Sequence, residues 1–126
     1  MTVRRREPAR RMTEARTDRP ARRAARHEHP AIDEAALVAA RCADRLLGSV
    51  REARTSRWVA YFEPMPDRLR DDEPVALRVT ATRCRAAYGV KDSIRDAAPA
   101  AVTEPFLDAI DRLIRELNRE SARARG

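Results

Sequence analysis

Residues 29–64, HPAIDEAALVAARCADRLLGSVREARTSRWVAYFEP, decide the fold class. Ala36, Ala39, Ala40, Ala43, Leu46, Leu47 and Val50 recur at the 3.6-residue period of a helix and define one apolar face. Pro30 stands where helices begin, and Asp33 and Glu34 suit the positive end of the helix dipole. Continued at the same period, this face reaches Arg54, Arg57, Trp58 and Tyr61. Two guanidiniums then fall where core side chains are due. Either the helix breaks near Thr55 and Ser56, or the arginines pair with acids from another element.

The stretch that follows, EPMPDRLRDDEP, reads as a proline-punctuated connector with one helical turn around Asp67–Arg70. Asp71, Asp72, Glu73 and Pro74 form a start signal of cap, first-turn acids and early proline. In the helix predicted next, Leu77, Ala81, Cys84 and Tyr88 stack on one face, with Gly89 as terminator. Val75, Leu77, Val79 and Ala81 also alternate as a strand would, but no second convincing strand exists to pair with it. VKDSIRDAAPAAV predicts a short helix or an ordered loop. A final helix follows, capped by Thr103, with Glu104 and Pro105 in its first turn. Its stripe is Phe106, Leu107, Ile110, Leu113, Ile114 and Leu117.

Fully burying those six side chains contributes roughly 9–18 kcal/mol. Ordering the backbone costs a similar amount, so this helix needs neighbours. The fold expected is all-α: an antiparallel three-helix bundle over residues 31–122, with or without a short fourth helix, and a frayed end at 123–126.

Composition bounds the rest. The 126 residues hold 26 arginines, one lysine, one asparagine and no glutamine, the usage expected of a high-GC bacterial genome. Arginine abundance is therefore not by itself a sign of nucleic-acid binding. Its placement is more informative. Residues 1–30 carry ten arginines against four acids, and residues 31–126 carry seventeen basic groups against sixteen acidic ones. Before Pro30 the only large apolar residues are Met1, Val3 and Met12, too few to offset the entropy of ordering, so residues 1–30 read as a disordered basic arm. Met12 is an alternative start that would remove Arg4, Arg5, Arg6, Arg10 and Arg11. The segment lacks the apolar region of a signal peptide, and no apolar run approaches the length of a membrane span, so a cytoplasmic protein without membrane contact is expected.

Few residues point to catalysis. His27 and His29 are the only histidines and fall in the arm, which leaves the predicted helices without an imidazole. The chain has three glycines, and GVKDS lacks the glycines and the GK[ST] ending of a phosphate-binding loop. Cys42 and Cys84 sit mid-helix without CxxC spacing and read as free thiols. No enzyme activity, cofactor or metal is expected.

Two function classes remain. The first is a small non-enzymatic helical interaction or adaptor module, docking an unknown protein or a second copy of itself. Its candidate patch is Arg54, Arg57, Trp58, Tyr61, Phe62 and Met65, since aromatics, Met and Arg are enriched in interfaces; the alternative is that the aromatics plug one end of the bundle. The second is a non-sequence-specific nucleic-acid-associated protein that grips phosphate weakly through Arg4, Arg5, Arg6, Arg10, Arg11, Arg16, Arg19, Arg22, Arg23 and Arg26. Lys91, the single lysine, stands apart. It is either a solvated turn residue or, with Tyr88, a loop pin or anion site, because an ammonium is a compact charge where guanidinium is a planar fork.

Overall fold

Residues 25–125 are described by the structure, a computed structural model, and their regular elements are all helical, with no strand among them. From Pro30 onward five helices follow in order: α1 (Pro30–Glu52), α2 (Ser56–Phe62), α3 (Met65–Asp71), α4 (Pro74–Ala86) and α5 (Ala100–Arg125), with a 3-10 turn at Ile94–Asp96 between the last two. The all-α expectation holds. The three helices read from sequence correspond to α1, α4 and α5, while α2 and α3 are further elements.

α1 buries Ile32, Ala35, Ala36, Ala39, Ala40, Ala43, Leu46, Leu47 and Val50, the face that the period defines. Its alanines let a neighbour approach closely, and the helix packs most extensively against α5 and then α3. α1 ends at Glu52. The Thr55 N–H donates to Val50 O at 3.1 Å and the Arg54 N–H to Arg51 O at 3.1 Å, the paired bonds of a Schellman stop. Of the two readings of the misplaced arginines, the break is the one the backbone takes.

The connector is richer than one turn. α3 spans Met65–Asp71 and buries Met65, Pro66 and Leu69. Glu73, rather than an aspartate, caps α4, accepting from the N–H groups of Val75 (2.9 Å) and Ala76 (2.7 Å). Residues 75–81 are helical, and Leu77, Ala81, Cys84 and Tyr88 are buried. Gly89 is not a left-handed terminator, since no glycine has positive φ among the described residues. The Ala87 and Tyr88 N–H groups close that end on Cys84 O and Arg85 O.

α5 starts one turn earlier than expected. Pro99 O accepts from Val102 and Thr103, both at 3.0 Å, so Thr103 is an interior, buried residue and not the cap. The helix runs through Arg125.

At the other end the boundary also moves. Residues 25–27 are helical, and Arg26 is fully buried. No helix among the described residues is long and apolar enough to cross a membrane.

Candidate functional site

The corner after α1 holds the residues singled out as an interaction patch. Once the helix breaks, the chain re-enters α2 with a new phase. Arg54 and Arg57 then turn to solvent, and the aromatics turn inward. Trp58 is 6% exposed, Phe62 0% and Met65 1%. Trp58 meets Tyr61 edge-on at 5.4 Å between centroids, and Phe62 meets Phe106 of α5 edge-on at 5.7 Å. Such pairs are worth about 0.5–1.5 kcal/mol beyond their buried area. The patch is therefore corrected: its apolar members form the core between α2, α3 and α5, the plug reading, and only the arginines and part of Tyr61 face water. Tyr61 donates its hydroxyl to Arg83 O. Burial, then Cys84, raises its pKa against the opposing charge of Arg83.

Arg54 is held at φ 55°, in the left-handed region where the C′ position of a helix stop favours glycine. Arg57 is exposed but positioned, its guanidinium carbon lying 4.7 Å from the Trp58 ring centroid. That stacking is worth about 0.5–1 kcal/mol at an exposed site.

Arg26 corrects a second expectation. Placed in the arm as a phosphate ligand, it is instead enclosed where α1, α3 and α4 meet. Its Nη1 donates to Leu69 O at 2.7 Å, and its Nε lies 2.9 Å from Asp33 Oδ1 as an ion pair. Longer bonds of 3.4 Å reach the carbonyls of Asp72 and Asp33. Charged groups are buried when paired and hydrogen-bonded in this way. Arg4, Arg5, Arg6, Arg10, Arg11, Arg16, Arg19, Arg22 and Arg23 lie outside the described residues. His29, read as part of the same arm, stands at the N-cap position of α1 with Nδ1 3.5 Å from Glu120 Oε1.

Lys91 and Tyr88 are not brought together as a site. Tyr88 points inward, donating its hydroxyl to Thr103 O, and burial foremost, then Glu104, raises its pKa. Arg95 lies 5.4 Å over its ring and forks onto Glu104 at 3.0 and 3.1 Å. Lys91 is exposed, between a fully exposed Val90 and Asp92, which is held at φ 52°.

Cys84 is buried, and burial pushes its thiol up to about 12, so it stays protonated at neutral pH and is a poor nucleophile. Cys42 is a half-buried free thiol. Among the described residues no His, Cys, Asp or Glu cluster is arranged to hold a metal.

One surface was missed in the sequence. Val75 and Val79, one turn apart on α4, are 76% and 60% exposed. Val75, but not Val79, lines a groove of about 300 Å³ together with Ile32, Pro74, Leu117 and Ala124, with His29, Arg78, Glu120 and Ser121 at its rim. The rim is self-satisfied: Arg78 donates to Asn118 Oδ1 at 2.8 Å and Ser121 Oγ at 3.1 Å, and His29 faces Glu120. The signal was present in the alternation of Val75, Leu77, Val79 and Ala81. On a helix that pattern is two apolar faces, one buried and one left over.

No protein-family model matches the chain, and no curated protein or solved structure is significantly similar to it.

Proposed function

We propose that this protein is a small non-enzymatic adaptor that binds an amphipathic helix of a protein partner on α4, with the partner's apolar side chains entering the groove between α4 and the ends of α1 and α5. The observation that carries this reading is the pair Val75 and Val79, large apolar side chains exposed one turn apart beside an apolar floor. Apolar patches of this kind mark interaction sites, and helix-in-groove docking uses anchors at helical spacing. The chemistry of the occupant follows from the rim. Arg78, His29 and Glu120 already have partners within the chain, so the surface offers apolar area and little free hydrogen-bonding capacity.

A second copy is the less favoured occupant. α4 has thirteen residues and is about 20 Å long, so one helix face alone falls well short of the roughly 1,200–2,000 Å² of a stable interface. The test replaces both valines in the full chain (Val75→Ser with Val79→Ser) and uses the wild type to capture helical peptides from a display library. Selected peptides should carry Leu or Phe at i, i+3 and i+4 and lose at least tenfold in affinity to the double variant. Peptides that bind both proteins equally, or a wild type that dimerises through these valines, would overturn the reading.

A further inference from the structure

The near-neutral charge of the folded residues hides an uneven distribution. Arginines along α5 and its surroundings have carboxylates at hand: Arg112 with Glu34 at 3.3 Å, Arg119 with Glu116 at 2.9 Å, Arg123 with Glu120 at 3.5 Å and Arg85 with Asp111 at 3.0 Å. A different rule governs the second half of α1 and the corner after it. Arg41, Arg45, Arg51, Arg54 and Arg57 are all exposed, and none forms an ion pair with a carboxylate among the described residues. Residues 41–57 contain only two acids, Asp44 and Glu52, and Asp44 is taken by Arg70. Among the described residues, the other arginines without a carboxylate partner are Arg68 on α3, Arg78 and Arg83 on α4, and Arg115 and Arg125 among paired neighbours on α5, with Arg78 taken up by Asn118 and Ser121.

We infer that Arg41, Arg45, Arg51, Arg54 and Arg57, spread over the exposed side of α1 and the corner after it, bind the phosphate backbone of duplex nucleic acid, a surface separate from the apolar groove on α4.

Arg41 and Arg45 lie one turn apart on the solvent face of α1, and Arg51 lies about 15 Å along the axis from Arg41 and about 80° around it, at 1.5 Å and about 100° per residue. Arg54 and Arg57 follow in the chain past the helix stop, both exposed. The ground between them is small or polar, with Gly48, Ser49 and Ala53 and one exposed carboxylate, Glu52, and Gly48 has nothing within 4 Å of where a Cβ would stand. Large exposed apolar residues among those described are Val75, Val79 and Val90, none of them here. A protein interface would be expected to carry an apolar or aromatic centre. Unpaired guanidiniums on small-residue ground suit a partner made of repeated anions. Stacking platforms of the kind that hold single strands are missing at the corner, because Trp58 and Phe62 are buried and the Tyr61 hydroxyl is engaged. That selects the duplex backbone over unpaired bases. Arg57 is the best positioned of the five, since the indole beneath holds its guanidinium in place before any ligand arrives.

The test is fluorescence anisotropy of the full chain with a 20-base-pair duplex of arbitrary sequence across 50–200 mM salt. Each arginine in contact with a phosphate contributes about 0.9 to the magnitude of the slope of log affinity against log salt. Arg41→Gln with Arg45→Gln should lower that magnitude by about 2, and replacing all five arginines with Gln should lower it by about 4 to 5. Replacement of all five by Lys should restore most of the slope. Arg112→Gln with Arg119→Gln on α5, and the valine variant of α4, should leave it unchanged. Circular dichroism checks that the variants keep their helicity, as fully exposed sites should. An unchanged slope in the five-arginine Gln variant would place the binding in residues 1–24 and overturn the proposal. So would a full chain without salt-sensitive duplex affinity, or tighter binding to a polyglutamate peptide of matched charge than to the duplex.

Discussion

Arg26 and Arg54 lie 28 residues apart in a chain rich in arginine, and the fold treats them in opposite ways. Arg26 is sealed at 0% exposure against the carbonyl of Leu69 and the carboxylate of Asp33. Arg54 is given to solvent on a backbone angle better suited to glycine. The side chain is the same, so its neighbours set its role. Around Arg26 the end of α3 and the first turn of α1 bring oxygen atoms to converge from elements distant in sequence. Around Arg54 the backbone turns through a helix stop into α2, and no carboxylate among the described residues pairs with the guanidinium. An arginine becomes structural where acceptors converge, and becomes available where they do not.

The strongest way to break this contrast is at its buried end. Arg26→Ala should cost about 3–5 kcal/mol, read as loss of thermal or urea stability, because it strips a buried carbonyl and a carboxylate of their partner. Arg26→Lys should recover only part, since a single ammonium cannot reproduce the fork. A neutral Arg26→Ala would mean that the guanidinium is a passenger. Trp58→Ala should cost about 3 kcal/mol, toward the lower end for truncating a large aromatic at the edge of a core. Arg57→Gln, which leaves the indole in place, should cost less than about 1 kcal/mol. Should the two cost the same, the indole would serve Arg57 rather than the core. The smallest effect has the opposite sign. Arg54→Gly should stabilise the protein by about 1 kcal/mol in urea denaturation by removing the left-handed penalty, while weakening any affinity that depends on the arginine.

The parts legible in the sequence are those written in a local period. The alanine face of α1 and the apolar stripe of α5 repeat every 3.6 residues, and both are buried apart from a half-buried Ile114. The stop after Glu52 was only half legible, because the glycine that normally announces it is replaced by Arg54. Arg26 was illegible: its acceptor Leu69 O lies 43 positions away, and nothing in a polar, arginine-rich stretch marks one residue for burial. The aromatic patch misled because interface and core draw on the same side chains, and only the phase change at the break decides between them. Val75 and Val79 were visible as letters but were weighed as evidence for a strand, which hid the second face they make on a helix.

The seam along α1 has a consequence for how the gene can change. Ala35, Ala36, Ala39, Ala40 and Ala43 are each 0% exposed, and their helix makes its largest packing with α5. Alanine is second only to arginine in abundance in this chain, so these positions look like background composition. A single base change in an alanine codon yields valine, threonine, serine, proline, glycine, aspartate or glutamate. Each of these adds bulk, adds an unpartnered polar group or weakens the helix, with overpacking alone costing about 1–3 kcal/mol. The least conspicuous letters of the sequence are thus among its least replaceable. Lineages carrying this fold should accumulate silent changes along the seam while their exposed arginines drift.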